Sequence, residues 1–148
     1  MKISKKCQYA LKALFELAWR NTDKPVRTHS IADAQRMPSR FTENILNELK
    51  HGGFVESRRG KEGGYILARD TRDLTVREVI EHVQGPISLV PDATKATGDQ
   101  SFWGNEAFTE LWQEVNNAVS EVCNNKTFAE LVEFERDKRD KSAVNYSI

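Results

Sequence analysis

Hydrophobic side chains recur every three or four residues near the start of the chain. This spacing is that of an amphipathic α-helix with one apolar stripe. It predicts a first helix over residues 3–20, which the sequence NTDKP then ends. The stripe consists of Ile3, Cys7, Ala10, Leu14 and Leu17.

Two further helices are predicted directly after this break. Ser30 and Asp33 have the spacing of an N-cap and a first-turn acid, which predicts a short helix from Ser30 to about Met37. A third helix over residues 39–51 precedes two glycines that favour a helix end. Its residues divide between two faces. Arg40, Glu43, Asn44 and Asn47 project on one side, and the opposite side, which we expect to enter the core, is centred on Phe41, Ile45, Leu46 and Leu49.

Strand-like residues flank a basic, glycine-rich loop in the middle of the chain. The runs at 54–58 and 64–68 predict two short strands, joined by a loop from Arg58 to Gly64. Thr75 and Glu78 then form a capping-box pattern that opens a fourth helix, 75–84.

The C-terminal part begins with a segment of no clear period, residues 86–105, which predicts a loop. A long helix follows from Glu106, and a second capping box at Thr127 opens a last helix to about Lys138, with a frayed tail beyond. The apolar stripe of the long helix serves equally well for packing inside one chain or against a second copy. Its members are Phe108, Leu111, Val115, Ala118 and Val122.

A short helix, a sharp turn and a second helix with a polar face form a helix-turn-helix pattern, and the following hairpin makes it a winged helix. Arginine, Asn and carboxylate side chains are suited to reading base edges in the major groove. Arg58, Arg59 and Lys61 in the wing are suited to phosphates or a narrow minor groove. A solvated helix face and an ordinary hairpin with a basic tip are the alternatives. The loop lacks the residue order of a phosphate-binding GxxxxGK[ST] loop.

Charge and composition narrow the class of protein. Residues 1–84 carry 16 Lys and Arg against 11 Asp and Glu, a net charge of +5, and residues 85–148 carry −5. This asymmetry favours an anion-facing front half. No signal-peptide pattern or long apolar run is present, so we expect a cytoplasmic protein without a membrane span. No catalytic motif or metal-ligand spacing points to an enzyme or a metal site.

The chain resembles the Rrf-two (Rrf2) family of bacterial winged-helix regulators, which includes iron–sulfur and nitric oxide sensors. The matching stretches cover nearly the whole sequence, and the combination of RRGKEGGYILAR with DLTVREVI is highly specific. The other stretches are MKISKKCQYALKALFELA, SIADAQRMPSRFTENILNELKHGGFVES and LWQEVNNAVSEVCNNKTFAELV.

The resemblance implies a mainly α fold with a small β-hairpin, a homodimer and double-stranded DNA with a palindromic operator as the target. It implies a DNA-binding domain over 1–84, an effector-type loop over 85–105, and a dimerisation helix with a C-terminal helix over 106–148. Arg40, Glu43 and Asn44 would read bases, and Arg59 would enter the minor groove. Phosphate contacts would come from Thr28, Ser30, Tyr9 and Lys5.

The sequence departs from the family in the loop that holds an iron–sulfur cluster through three cysteines in many members. VPDATKATGDQSFWGNEAF contains no cysteine, and Ala96 and Glu106 stand at expected ligand positions. We therefore expect no cysteine-ligated cluster, although a site with non-cysteine ligands from both subunits stays open. Phe102, Trp103 and Trp112 suit either a pocket for a small-molecule effector or ordinary packing between the loop and the long helix. The effector of the protein is expected to be either a small molecule or another protein.

Overall fold

The computed structural model describes residues 2–89 and 105–146. Within these ranges the chain forms six helices and one two-stranded antiparallel hairpin, which confirms the mainly α class with a small β-hairpin. The elements are α1 (Lys5–Arg20), α2 (Thr28–Gln35), α3 (Ser39–His51), β1 (Val55–Arg58), β2 (Gly64–Leu67), α4 (Val76–Gln84), α5 (Asn105–Asn124) and α6 (Phe128–Tyr146).

The main core lies where α1, α2, α3 and the start of α6 meet. Leu14, Ile31, Leu46 and Phe128 come from these four helices and are fully buried. Burying a side chain of this size contributes about 1.5–3 kcal/mol relative to leaving it exposed. The first turn of α6 therefore shares a core with the N-terminal helices, although it is distant from them in sequence.

The hairpin is fastened to the segment between α1 and α2. Val26 exchanges two backbone hydrogen bonds of 2.8 Å with Tyr65 of β2, which adds a short bridge to the two-stranded sheet. Gly64 next to it has a φ of +155°, and a Cβ there would overlap the carbonyl group of Val26. The close approach requires glycine and fixes the hairpin beside the helices.

Both predicted capping boxes are present. The Thr75 hydroxyl accepts from the Glu78 amide at 3.3 Å while the Glu78 carboxylate accepts from the Thr75 amide at 3.0 Å. The pair Thr127 and Glu130 repeats this arrangement at 3.2 and 2.9 Å. Burial opposes the charge on Glu78, but hydrogen bonds from Thr75 and Arg69 outweigh it and lower the pKa of the carboxyl group.

The predicted N-cap at Ser30 is wrong, because α2 begins two residues earlier. Arg27 is the N-cap residue, in an extended conformation and without a side-chain cap. Its carbonyl oxygen accepts from the amides of Ser30 and Ile31 at 3.0 and 3.2 Å, so the first helical turn is already closed. Ser30 lies inside that turn rather than at its boundary.

The predicted end of the last helix near Lys138 is also wrong, since α6 continues to Tyr146. Glu135 and Arg139 form an i,i+4 ion pair at 3.1 Å. The guanidinium groups of Arg136 and Arg139 also lie over the Trp19 ring of α1, 5.4 and 5.1 Å from its centroid. These contacts stabilise a helix whose C-terminal half has no apolar stripe.

None of the helices in the described ranges combines the length and the apolar character that crossing a membrane requires.

Candidate nucleic-acid interface

The turn between α2 and α3 has a fixed geometry. Arg36 adopts the left-handed conformation with a φ of 52°, and the buried Met37 donates its amide to the Ala32 carbonyl at 2.8 Å. Pro38 precedes α3, where its carbonyl accepts from the buried Thr42 hydroxyl at 3.0 Å. The two helices are thus joined by a short turn with α3 projecting one face outward, as in a helix-turn-helix unit.

The outward face of α3 is polar. Ile45, Leu46 and Leu49 are buried, as their spacing predicts. The four candidate base-reading residues on the other side, Arg40, Glu43, Asn44 and Asn47, are all exposed. A guanidinium, a carboxylate and two carboxamides are therefore free to meet a ligand along one side of a single helix.

The prediction that Phe41 enters the core is wrong. Its side chain is 60% exposed, while the neighbouring Thr42 is fully buried. The buried hydroxyl of Thr42 has a partner in the Pro38 carbonyl, which removes the cost of placing a polar group in the core. Phe41 instead borders an open cleft between α3 and the first turns of α1.

The wing tip is positively charged and exposed. Arg59 and Lys61 are both exposed, and neither forms an ion pair with any residue that the structure describes. Arg58 differs because its guanidinium lies 3.3 Å from the Glu56 carboxylate on the same strand. Arg59 and Lys61 therefore carry the available positive charge of the tip.

One residue that holds the wing, Arg27, was not predicted from the sequence. The guanidinium of Arg27 donates to the Lys61 carbonyl at 2.6 Å, which connects the start of α2 to the wing tip across 34 residues of sequence. The sequence offered no periodic signal for this contact, which depends on the fold alone. Arg27 positions the tip relative to the helix-turn-helix unit.

The base of the hairpin lies close to α3. Strand β1 packs against this helix. On β2, the pKa of the Tyr65 phenol is raised, first by burial and then by the negative charge of Glu43 on α3. The base of the wing is therefore near the exposed polar face of the helix.

The four candidate phosphate contacts fall into two pairs. Lys5 and Tyr9 line the cleft beside α3, together with Asn44. In that cleft Lys6 pairs with Glu48 at 2.6 Å, which holds the start of α1 against α3. Thr28 and Ser30 lie apart from the cleft, in the first turn of α2, and are both half-buried.

Most of the apolar stripe on α5 is uncovered in the single chain. Phe108 is 59% exposed, Leu111 43% and Val122 61%, while Ala118 is exposed and Val115 half-buried. Val119 and Cys123, which lie outside this stripe, pack instead against a smaller cluster built on Cys7, Ile80 and Ile87. One side of α5 thus contacts its own chain and another presents apolar side chains to the surroundings.

The thiols do not match the donor set of a cluster held by three cysteines. The sequence has two cysteines only, Cys7 and Cys123. Cys7 is fully buried and Cys123 half-buried, and burial raises the pKa of both thiols. Within residues 2–89 and 105–146 no three His, Cys, Asp or Glu side chains are grouped as metal ligands. Most of the predicted effector loop, with Ala96, Phe102 and Trp103, lies outside the described residues.

A helix-turn-helix unit with an exposed polar helix and a fixed basic hairpin defines a winged-helix protein of the DNA-binding class. A model of the Rrf2 family, described as iron-dependent transcriptional regulators, matches residues 3–134. The chain belongs to this family and is a transcriptional regulator, not an enzyme. Regulators of this family bind DNA.

Relatives and solved structures agree with this assignment. The chain is 32% identical to the regulator CymR of Bacillus subtilis, over 90% of this chain and 91% of that protein. It is 33% identical to IscR of Yersinia pseudotuberculosis, over 89% and 79%. The structure of B. subtilis CymR, described as a global cysteine regulator, superposes with a TM-score of 0.78, over 90% of this chain and 98% of that one, at 30% identity.

Proposed function

We propose that the chain is a homodimeric, sequence-specific repressor that recognises a palindromic operator and does not require a cysteine-ligated iron–sulfur cluster. The observation that carries the proposal is the surface on which the polar face of α3 lies beside a basic wing. The helix is suited to the major groove, which presents a distinct hydrogen-bonding pattern for each base pair. The wing is suited to the negatively charged backbone and the minor groove.

Base recognition is assigned to the exposed face of α3. Arg40 supplies a fork of donors that matches guanine, and Asn44 supplies a carboxamide that matches adenine. Glu43 accepts from a cytosine amino group and repels phosphates that are wrongly placed. Asn47 extends the same face by one helical turn.

Backbone contacts are assigned to three places around this helix. The wing contributes Arg58, Arg59 and Lys61, of which Arg59 is suited to the minor groove. Lys5 and Tyr9 contribute at the start of α1, on one side of α3. Thr28 and Ser30 contribute at the start of α2. Such contacts fix the register of the protein on the duplex without reading its sequence.

Dimerisation is assigned to the uncovered stripe on α5. Apolar side chains exposed along three or four turns of one helix favour burial against a partner. A second copy of the same helix offers an identical apolar stripe, which suits a two-fold interface. A two-fold protein in turn matches an operator whose half-sites lie about 34 Å apart, on successive turns of the duplex. The division into a DNA-binding part, 1–84, a loop, 85–105, and a dimerisation part, 106–148, belongs to this proposal.

The proposal is tested by selecting bound duplexes from a random pool and measuring the mass of the complex. We expect an inverted repeat bound by two chains, and transcription from a promoter overlapping that repeat should fall when the protein is added. Glu43→Ala should broaden the selected motif more than it weakens binding, whereas Glu133→Ala on α6 should leave the motif unchanged. A wild-type protein that enriches no motif, or that binds DNA as a single chain, would refute the proposal.

A further inference from the structure

The exposed ring of Phe41 lies at an unusual place for a large apolar side chain. It occupies the first turn of α3, next to Arg40, and is 60% exposed. On a helix with about 100° per residue it projects about 60° away from Asn44. The apolar ring therefore borders the polar face of the recognition helix rather than the core.

The cleft beside Phe41 contains one side chain suited to a base and one suited to a phosphate. Its cleft has a volume of about 560 Å³ and is also lined by Asn44 on α3 and by Lys5 and Tyr9 on α1. Asn44 is suited to a base edge, and the exposed Lys5 ammonium is suited to a phosphate. With α3 in the major groove, as the proposed function requires, a group that fills the cleft would lie near both a base edge and a phosphate.

The thymine methyl group meets this description. It is the only methyl group that an unmodified base pair presents in the major groove, and it projects toward the edge of that groove near its own backbone. An aromatic side chain that shares a cleft with an Asn and a Lys can cover it without disturbing the hydrogen bonds of the neighbouring base.

We propose that Phe41 is a further specificity-determining residue that selects thymine at one position in each half-site by packing against its C5 methyl group. This inference rests on the proposed function, since it requires α3 to enter the major groove. The group that Phe41 would contact is one methyl group of the operator. The thymine that carries this methyl group would lie next to the base that Asn44 reads.

The test removes the methyl group and leaves every hydrogen bond in place. Each thymine of the selected operator is replaced in turn by deoxyuridine, in both half-sites together, and binding is titrated with wild-type protein and with Phe41→Ala. Covering one methyl group corresponds to about fourfold in affinity, so two half-sites give about 15-fold. We expect this loss at one symmetric pair of thymines for the wild type and no loss there for Phe41→Ala.

Phe134→Ala is the matched control, because Phe134 is 62% exposed and lies on α6. It should keep the full dependence on the methyl group. Specific binding that is indifferent to deoxyuridine at every position would overturn this inference alone, as would Phe41→Ala that keeps the dependence. A wild-type protein that binds no operator would overturn the proposed function, and this inference with it.

Discussion

Replacing Arg59 by Ala separates electrostatic contact with DNA from the stability of the fold. Arg59 is exposed at the wing tip and has no ion-pair partner among the residues that the structure describes. The hydrogen bond that holds the tip goes from Arg27 to the Lys61 carbonyl and does not involve the Arg59 side chain. We therefore expect Arg59→Ala to fold and dimerise as the wild type does while losing affinity for DNA.

The magnitude follows from counterion release. Each cation that neutralises a phosphate contributes about 0.9 to the slope of log affinity against log salt concentration. A dimer has two wings, so the variant should lose about 1.8 from this slope. Between about 50 and 200 mM salt, a fourfold range, the wild-type affinity should then fall about 12-fold more than that of the variant.

The assay is a fluorescence anisotropy titration of labelled operator at four or more salt concentrations. Arg72→Ala serves as the control because it removes the same charge from an exposed arginine, one that is paired to Asp70 at 2.8 Å and lies outside the wing. Its slope should match that of the wild type. An unchanged slope for Arg59→Ala, or an equal change for Arg72→Ala, would remove the wing tip from the binding mechanism.

Three other perturbations test the interface, the hairpin and a cap. Leu111→Glu should convert the dimer to monomers in analytical ultracentrifugation, whereas Gln113→Glu, with the same charge off the stripe, should not. Gly64→Ala should lower the free energy of unfolding by at least ~2 kcal/mol in a denaturant titration, because an added Cβ would meet backbone atoms and the φ of Gly64 is +155°. Gly60→Ala should lower it by less, since an added Cβ there has nothing within 4 Å. Glu78→Gln should cost at most ~1 kcal/mol at neutral pH, since the carboxylate is 41% exposed. Because the pKa of Glu78 is lower in the folded state, the difference in unfolding free energy between wild type and variant should persist above about pH 4.5. It should vanish as the pH falls through the pKa of the folded state, and a difference that does not change with pH would contradict this reasoning.

Local patterns determined the elements and the character of their faces. The apolar spacing in α1 and α3 identified Leu14, Ile45, Leu46 and Leu49, which the structure buries. The capping box at Thr75 specified a helix start that the structure reproduces. Patterns of this kind are reliable because hydrogen bonds within three or four residues and a period of 3.6 are properties of the chain itself.

Boundaries that depend on distant groups were not determined by the local pattern. Beyond Lys138, α6 carries Arg139, whose guanidinium lies over the ring of Trp19, more than one hundred residues earlier in the chain. The start of α2 at Thr28 has no side-chain cap, whereas the local pattern of capping residues predicted a start at Ser30. A contact with a distant residue and a helix start without a side-chain cap are both features that a local pattern of caps and apolar spacing does not contain.

The tertiary structure alone decided which apolar residues are uncovered. Sequence periodicity placed Phe41 with the core face of α3 and left the stripe of α5 open to either kind of packing. A period gives the direction of a side chain around its helix, but burial depends on whether another element lies in that direction. No described element fully covers Phe41 or the outer side of α5, and these two surfaces carry the proposed contacts with DNA and with a second copy.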